Sequence, residues 1–462
     1  MLKGDFILDS QKALTHLSQA ISIPTISNLD ESITDWSQFE KFHAFLEESY
    51  PLVHKHLTKE VVEKASLLYR WKGKDSSLKP FAMLGHIDVV PVPEETKNEW
   101  KYPPFSGECD EEYIYGRGAN DMKNCVVALM EAVENLLEEG FVPERDVYIC
   151  FGHNEEVLCG EGSGAGAIAN LLKSRGVRLE FVYDEGGAIM DDNLFGLKNP
   201  AAMVGLAEKG YADLKLSISN NGGHAAEPSD RTALGDLARL ISTIERNQMP
   251  CRLIRTVVGT LKELGKNSEG VLSVALKALG ITKPLVMKIL KTYRMTHAMM
   301  HTTIVPTICR AGTAVNVLPQ KVEAMFNIRL LPGDTIEDVE KHIKRLAKRV
   351  GVLDELTLQF VNTSPAPEET SADSETYKII EKTMKEIDPD IVTIPYLVTG
   401  ATDSREYKEV ADEIYRIYPF KITGDELDSM HGINERLRKS SFIFGIEYFI
   451  RFIRTQAERR VN

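Results

Sequence analysis

Residues 81–92, FAMLGHIDVVPV, constrain the fold of this chain more than any other stretch. FAML is an apolar run typical of a buried strand, and Gly85 follows it directly before His86 and Asp88. Because side chains alternate along an extended chain, His86 and Asp88 lie on the same side of it. An imidazole and a carboxylate at this spacing are typical of a metal ligand and the acid that orients it. The stretch therefore predicts a strand with a metal site at its end.

A second stretch, residues 115–124 (YGRGANDMKN), places Asp121 after two glycines that permit tight turns. From Asp121 onward the apolar residues recur at helical spacing as far as Gly140, which is a typical helix stop. We therefore expect Asp121 at the beginning of a helix, close to the end of the strand that carries His86.

Further polar side chains follow later apolar runs or lie in glycine-bearing loops. Strands that alternate with helices predict an open α/β sheet, whose functional groups collect at the carboxyl edge of the strands. Taken singly, a histidine is more often structural and adjacent acids are more often solvated surface. Several such groups at strand ends within one domain favour a functional site over structural histidines and solvated surface acids. The candidates, in chain order, are Glu155, Glu156, Asp184, Glu185, Asp403 and His431.

The pattern changes near Lys209, where half-exposed alternating strands replace buried ones. The order β-α-β-β-α-β predicts a smaller α+β sandwich inserted into the larger domain. We expect a catalytic domain of residues 1–206 plus 364–462 and an inserted domain of residues 207–363. Residues 249–300 are helical with weak signals, and their apolar stripe is either core or the wall of a pocket.

Composition excludes several classes of protein. The net charge is −13 and no dense Lys/Arg cluster stands out, which argues against nucleic acid or an anionic membrane as partner. The six cysteines form no CxxC pair, which indicates reduced thiols rather than a disulfide framework or a thiolate zinc site. The first residues lack the apolar region of a secretory signal, and no apolar run is long enough to span a membrane. We therefore expect a cytoplasmic enzyme.

Nine short motifs, given at the end of this paragraph, occur in the same order as in a known family that the chain resembles. This family is the dizinc aminoacylase and carboxypeptidase metallopeptidases. The resemblance covers residues 80–440, nearly the whole chain. The DEGG, TDSR, IYRIYPF and HGINE segments are most similar to the carboxypeptidase S and N-fatty-acyl amino acid hydrolase branch. The motifs are GHIDVVP, YGRGANDMK, GHNEEV, VYDEGG, GGHAAEP, NVLP, FNIRLLPG, TGATDSR and MHGINE.

This resemblance implies an open mixed sheet flanked by helices, with an inserted lid or dimerisation domain. It also implies two zinc ions per subunit, with cobalt or manganese as substitutes, bridged by Asp121. Relatives hold the peptide bond after that aspartate in the cis form. Asp88 would orient His86, and Glu155 would be the general base that moves a proton from water to the leaving nitrogen. The implied ligands are His86, Asp121, Glu156, Asp184 or Glu185, and His431.

The resemblance also assigns residues to substrate binding. His224 would stabilise the oxyanion, often across a dimer interface. Asn316, Arg329 and Arg405 would bind the free carboxylate of the substrate, a group that suits the arginine fork.

Two routes would bring His224 to the metals: closure of a hinge near Lys209 and Ser364, or supply from a partner subunit. We favour a homodimer through the inserted domain, with strand 211–219 as the free edge that pairs with its copy.

The function implied is a metal-dependent hydrolase that cleaves an amide bond next to a free carboxylate. The leading substrates are N-acyl amino acids and short peptides trimmed from the carboxyl end. A dipeptidase is one alternative, and a catalytically silent binding protein that kept the fold is another. The complete ligand set and the intact Glu155 count against a silent protein.

Overall fold

The computed structural model describes residues 8–157, 162–192 and 197–461. The strands in these ranges are β1 Thr58–Val62, β2 Ser66–Trp71, β3 Phe81–His86, β4 Tyr113–Tyr115, β5 Val147–Gly152, β6 Leu179–Met190, β7 Ala201–Glu208, β8 Gly210–Ser219, β9 Gly223–His224, β10 Thr303–Ala311, β11 Val317–Leu318, β12 Lys321–Leu330, β13 Leu356–Ser364, β14 Val392–Val398, β15 Ala411–Ile422 and β16 Arg436–Arg438. The α helices are α1 Ser10–Ile21, α2 Trp36–Ser49, α3 Pro51–His56, α4 Lys123–Glu138, α5 Gly164–Ser174, α6 Ala233–Arg246, α7 Arg255–Asn267, α8 Gly270–Lys277, α9 Leu279–Leu290, α10 Arg294–Ala298, α11 Ile336–Val350, α12 Glu375–Ile387, α13 Gly424–Ser429 and α14 Lys439–Ala457.

The larger sheet has the strand order β1-β2-β5-β3-β6-β15-β7-β14, and its four central strands, β5, β3, β6 and β15, are parallel. Strands β3 and β5 are buried along their whole length, as parallel strands covered on both faces are. Their register pairs His86 with Gly152, so both strands end at the same level. The predicted open α/β sheet is confirmed, and its carboxyl edge collects the residues that follow each strand.

Two apolar layers cover the larger sheet because successive side chains of β3 point to opposite faces. Phe81 and Met83 pack with α1, α2, α4 and α14, whereas Ala82 and Leu84 pack with α5 on the other face. Helix α4 is buried almost throughout, and it ends at Gly140, which has a left-handed φ of 74°. This buried helix holds the residues just before it firmly against the sheet.

The second sheet has the order β10-β12-β8-β13 and is antiparallel throughout. Its core packs beneath α6 and α11, which confirms the predicted β-α-β-β-α-β order. The prediction that strand 211–219 is a free edge is wrong, because β8 pairs with β12 on one side and β13 on the other. Its alternation of buried and half-buried residues arises because helices cover only one face of the sheet. The edge strands are β10 and β13.

Helices α7 to α10 pack against the far edge of the larger sheet rather than into the core of the second one. Val257 and Leu261 of α7 share an apolar cluster with Ile394 and Leu397 of β14. Part of the stretch between β8 and β13 therefore belongs structurally to the larger sheet, and the boundaries at 207 and 363 stay a prediction. Among the described residues, no helix combines the length and apolar content needed to cross a membrane.

Candidate metal centre

Imidazole and carboxylate side chains from five separate segments meet at the carboxyl edge of the larger sheet. His86 ends β3, Asp121 lies just before α4, and Glu156 follows β5. Glu185 lies within β6, and His431 lies in the loop after α13. The sheet places β3, β5 and β6 side by side, and with them His86, Glu156 and Glu185. The loops before α4 and after α13 add Asp121 and His431 at the same edge.

The carboxylate of Asp121 lies between two halves of this cluster. Its Oδ1 is 3.0 Å from Nε2 of His86, and its Oδ2 is 2.9 Å from Nε2 of His431. Glu185 Oε1 is 3.5 Å from Nε2 of His86, and Glu156 Oε2 is 3.2 Å from Nε2 of His431. Each half therefore offers one imidazole nitrogen, one carboxylate of its own and one oxygen of Asp121, a donor set that suits a divalent transition metal.

The two adjacent acids of the DEGG turn point in different directions. Glu185 faces His86, whereas Asp184 is buried and accepts a hydrogen bond of 2.7 Å from the backbone N–H of Ser404. Successive side chains of a strand point to opposite faces, so only one of the pair can face the cluster. The peptide bond between Asp121 and Met122 is cis, as expected.

Asp88 is completely buried and connects two of the segments that form the centre. Its Oδ1 lies 3.4 Å from Nδ1 of His86, on the ring edge opposite the cluster. The same carboxylate accepts hydrogen bonds from the backbone N–H groups of Glu155 at 3.1 Å and Glu156 at 3.2 Å. The hydroxyl of Ser27 donates to it as well. Nδ1 of His86 lies closer, at 3.0 Å, to the backbone carbonyl oxygen of Asp88. Asp88 thus orients the imidazole chiefly through its backbone, and its carboxylate holds the loop that carries both glutamates.

Glu435 is a buried carboxylate that the sequence analysis did not single out, although it ends the MHGINE motif. It accepts hydrogen bonds from the backbone N–H groups of Gly118 at 3.0 Å, Asn120 at 2.8 Å and Asp121 at 3.1 Å. Arg117 Nη1 lies 2.5 Å from its other oxygen. Glu435 therefore holds the turn that presents Asp121. The sequence signal available for it was its position in the same motif as His431, four residues further along.

The loop that carries His431 has a backbone conformation uncommon for residues other than glycine. The φ angle is 57° at both His431 and Asn434, in the left-handed region. Arg117 Nη2 donates to the carbonyl of Gly432 at 3.1 Å, and the Asn434 side chain accepts from the Lys101 backbone at 2.5 Å. These contacts hold the loop in the conformation that directs His431 toward Asp121.

The acids of the cluster repel one another in the absence of a cation. Burial and, after it, the neighbouring Asp121 charge raise the pKa of Glu185 to about 7. Burial also raises the pKa of Glu155 well above its usual range, while His86 opposes that shift. Hydrogen bonds to Asp121 and then Glu156 raise the pKa of His431 to about 10. A bound cation would relieve the repulsion between these acids. It would also pair with Oε1 of Glu156, a buried oxygen that has no hydrogen-bond partner among the described residues.

The residues predicted to bind substrate lie apart from this cluster. His224 and Asn316 are exposed neighbours on the small β9–β11 ribbon. Arg329 lies on β12, with its guanidinium 4.9 Å from the ring centre of Tyr211. Arg405 is buried in an ion pair with Glu208, which also accepts a 2.6 Å hydrogen bond from Nε of Arg416. Among the described residues, none of the four hydrogen-bonds to a side chain of the cluster.

A second group of metal-ligating atoms lies at α10. Cys251, His297 and His301 each have one such atom within 4.8 Å of the others. Burial lowers the pKa of both imidazoles, and the cations of Lys209 and Lys291 lower it further. No carboxylate belongs to this group, so its electropositive surroundings disfavour a cation. The acidic cluster around Asp121 is the stronger candidate for a metal centre.

An apolar cavity of about 250 Å³ opens directly against the metal-ligand cluster. Asp121 and Glu185 form one wall, and the remaining wall is almost entirely apolar. The side chain of Met295, from α10, closes part of it, so the helices of the 249–300 stretch contribute to this pocket as well as to the core. The other lining residues are Gly186, Gly187, Ala188, Met190, Met203, Tyr396, Tyr418, Ile422, Leu427 and Met430.

Comparison with protein families gives a match to the model described as Peptidase family M20/M25/M40, over residues 82–455. The chain belongs to this family. Family membership makes it an enzyme of the metal-dependent amide hydrolase class, and the convergent imidazoles and carboxylates agree with that chemistry.

Relatives with curated names are similar over nearly the whole chain. "Probable carboxypeptidase S-like 2" of Dictyostelium discoideum is 35% identical, covering 95% of this chain and 84% of that protein. "N-fatty-acyl-amino acid synthase/hydrolase PM20D1" of Homo sapiens is 34% identical, covering 95% of this chain and 86% of that protein. Both names agree with the branch that the sequence motifs indicated.

Solved structures share the fold at low sequence identity. The metallo-carboxypeptidase Sso-CP2 of Sulfolobus solfataricus superposes with a TM-score of 0.67 and 18% identity, covering 96% of this chain and 99% of that one. The YXEP protein of Bacillus subtilis, described as a dinuclear metal binding peptidase, gives a TM-score of 0.59 at 12% identity, covering 97% and 98%. The combination of a large mixed sheet with an inserted smaller domain is therefore the fold of this family.

Replacing Glu435 by Gln should weaken metal binding, because a neutral amide cannot hold three N–H groups of the Asp121 turn equally well. Loss of such a supporting acid typically costs about 10–100-fold in metal affinity. The measurement is metal content by mass spectrometry after dialysis against graded chelator concentrations.

Glu134→Gln is the matched control. Glu134 is also buried and accepts two backbone hydrogen bonds, from Leu52 at 3.0 Å and Val53 at 2.8 Å, but at the remote end of α4. Equal metal retention in the two variants, with both folded by thermal melting, would show that Glu435 does not position the centre.

Proposed function

We propose that this chain hydrolyses N-acyl amino acids whose acyl group is apolar, using two zinc ions. The observation that carries the substrate class is the apolar cavity whose wall includes Asp121 and Glu185. An acyl chain in that cavity would place its amide carbonyl next to the metal ligands. The cysteine pattern continues to favour a cytoplasmic location.

The donor set supports two ions of this kind. His86, Asp121 and Glu185 would hold one ion, and Asp121, Glu156 and His431 would hold the other. When bound, the ions polarise the scissile carbonyl and lower the pKa of the attacking water. Mixed imidazole and carboxylate ligands suit zinc, and cobalt or manganese are its expected substitutes.

The protein itself supplies the proton transfer and the orientation of the groups. Glu155 is the general base that takes a proton from the attacking water and delivers it to the leaving nitrogen. Burial raises the pKa of Glu155 above its usual range, which favours acceptance of a proton by this carboxylate. Asp88 holds His86 and the backbone of Glu155 in register throughout.

Four residues are proposed to recognise the substrate outside the cavity. His224 stabilises the oxyanion, and Asn316, Arg329 and Arg405 bind the free carboxylate. His224 reaches the centre either by closure of the hinge near residues 209 and 364 or from a second subunit, and the two open edges, β10 and β13, are where a copy can pair.

A dipeptidase is the alternative within this family. A dipeptide carries a free ammonium group, which requires an anionic partner. Among the described residues, the carboxylates that line the cavity are Asp121 and Glu185, and both are proposed as metal ligands. The wall therefore favours an apolar acyl group over an amino acid with a free amine.

Replacing Glu155 by Gln should abolish turnover while metal content stays at the wild-type level, because Glu155 is not a ligand. Loss of general-base assistance typically costs about 10²–10⁴-fold in rate. Hydrolysis is followed with N-acyl amino acids after reconstitution with zinc, cobalt or manganese. Glu156→Gln is the control, since it should lose metal as well as activity. Near-normal turnover by the Glu155 variant would remove it from the mechanism.

A second variant of the same residue, Glu155→Ala, tests whether His224 acts on the metal centre of its own chain or on that of a partner chain. An inactive Glu155→Ala chain mixed with an inactive His224→Ala chain regains activity only if one chain's histidine serves the other chain's centre. A monomeric wild type with full activity would leave hinge closure as the route.

Leu427→Gln tests the acyl-binding role of the cavity. Leu427 is 42% exposed at the rim of the cavity, so the chain should fold with the polar side chain in place. We expect kcat/KM for long-chain N-acyl amino acids to fall about tenfold, because an apolar contact worth one to two kcal/mol is lost. Hydrolysis of N-acetyl amino acids should not change. Leu353→Gln, at 36% exposure in the turn between α11 and β13, is the control. An equal fall for short and long acyl groups would place the acyl chain elsewhere.

A further inference from the structure

Helices α8, α9 and α10, residues 270–298, carry an unusual concentration of exposed apolar side chains; we refer to them as the basic apolar segment. Seven of the nineteen exposed large apolar side chains in the described part of the chain lie within it. Single exposed apolar residues are ordinary on protein surfaces, whereas a contiguous group marks an interaction site. The seven are Val271, Val274, Ile281, Leu285, Ile289, Tyr293 and Met295.

The exposed apolar residues of α9 form a continuous stripe. Ile281, Leu285 and Ile289 are four residues apart, which places them along one face of the helix. They are 88%, 58% and 51% exposed, whereas Val286, on an adjoining face, is buried in the apolar cluster beneath. The helix therefore already packs on the protein through one face and presents a second apolar face to the outside.

The charge of this segment is opposite to that of the whole chain. Residues 270–300 contain no Asp or Glu, although the net charge of the protein is −13. All five cationic side chains are exposed, and none forms an ion pair with another described residue. They are Lys277, Lys283, Lys288, Lys291 and Arg294.

These features together identify the occupant of the surface. A second copy of the chain would bring five cations against five cations, with no acid in the segment to compensate. A nucleic acid would match the cations but not the stripe of isoleucine and leucine. An anionic lipid surface matches both, because basic side chains bind its headgroups while apolar ones enter the acyl boundary. We propose that the basic apolar segment docks this enzyme on anionic lipid bilayers.

The net charge of −13, taken over the whole chain, argues against an anionic membrane as partner. That reasoning fails locally, because charge screening confines electrostatic attraction to about 10 Å at ordinary ionic strength. The five cations act within that distance of a bilayer on which the segment lies. Binding of this kind is peripheral, and it requires no helix that crosses the membrane.

The position of the segment connects it with the cavity at the metal centre. Met295 of α10 belongs to both, since it is 45% exposed and also lines the cavity with Asp121 and Glu185. This step rests on the proposed function: N-acyl amino acids with long acyl groups are amphiphiles that partition into bilayers. Docking through the segment would bring the cavity to the headgroup level, where such substrates are concentrated.

The test is co-sedimentation of the purified full-length chain with vesicles. Wild type should bind vesicles of phosphatidylcholine that contain phosphatidylglycerol, bind pure phosphatidylcholine far less, and lose binding at high salt. Each Lys→Gln change in the segment should weaken binding about fivefold, as a cation near an anionic surface is worth about that much. Lys283→Gln and Lys288→Gln are compared with Lys55→Gln and Lys348→Gln, which are exposed elsewhere.

The apolar stripe is tested by Ile281→Gln, Leu285→Gln and Ile289→Gln combined, because glutamine retains good helix propensity. The matched control combines Ile33→Gln, Val61→Gln and Val142→Gln, at 68%, 52% and 49% exposure. The stripe variant should bind anionic vesicles more than tenfold more weakly than wild type, and the control should bind like wild type. The stripe variant should keep its activity on water-soluble N-acetyl amino acids but lose activity on long-chain substrates held in vesicles.

Failure of wild type to bind anionic vesicles would overturn the proposal, as would equal binding by the stripe variant. Self-association of wild type that the stripe variant alone abolishes, with vesicle binding unchanged, would identify a second copy as the occupant instead. Vesicle binding is measured without turnover, so its result can contradict the membrane-docking proposal without bearing on the proposed hydrolase function. Wild type that binds vesicles but hydrolyses no N-acyl amino acid would contradict only the latter.

Discussion

The position of the Asp121 carboxylate is the constraint on which the rest of this site depends. Its two oxygens face different imidazoles, those of His86 and His431, which come from opposite ends of the chain. If this carboxylate moved, both halves of the cluster would lose the carboxylate that they share. The protein accordingly holds the preceding turn by three hydrogen bonds to Glu435 and holds the following helix in the core.

Two buried acids, Asp88 and Glu435, organise the centre without belonging to it. Asp88 joins the end of β3 to the loop after β5, and Glu435 joins the Asp121 turn to the His431 loop. Each accepts hydrogen bonds from backbone N–H groups, so each fixes the course of a chain segment as well as a neighbouring side chain. Such anchoring lets a group of acids that repel one another stay assembled and ready for cations.

The sequence predicted those parts of the site that depend on local pattern. His86 and Glu156 lie at the ends of buried parallel strands, and such strands must end at a common edge.

The sequence could not decide between Asp184 and Glu185, because that choice depends on which face of β6 turns toward β3. Glu435 was not predicted because its partners, the backbone of the Asp121 turn and the side chain of Arg117, lie more than 300 residues away in sequence. The central position of β8 was missed because a strand with one covered face alternates like an edge strand. The exposed stripe of α9 was missed because an apolar pattern does not say which of two faces is covered.

The central claim is that one carboxylate, Asp121, joins two metal ions. Electron paramagnetic resonance of the enzyme loaded with manganese tests this most directly, because two ions that share a carboxylate are magnetically coupled. We expect a coupled two-manganese spectrum at full loading in the wild type, and the signal of isolated manganese in Glu156→Gln, which keeps only the His86 half. A fully loaded wild type that shows only uncoupled manganese ions would contradict the account.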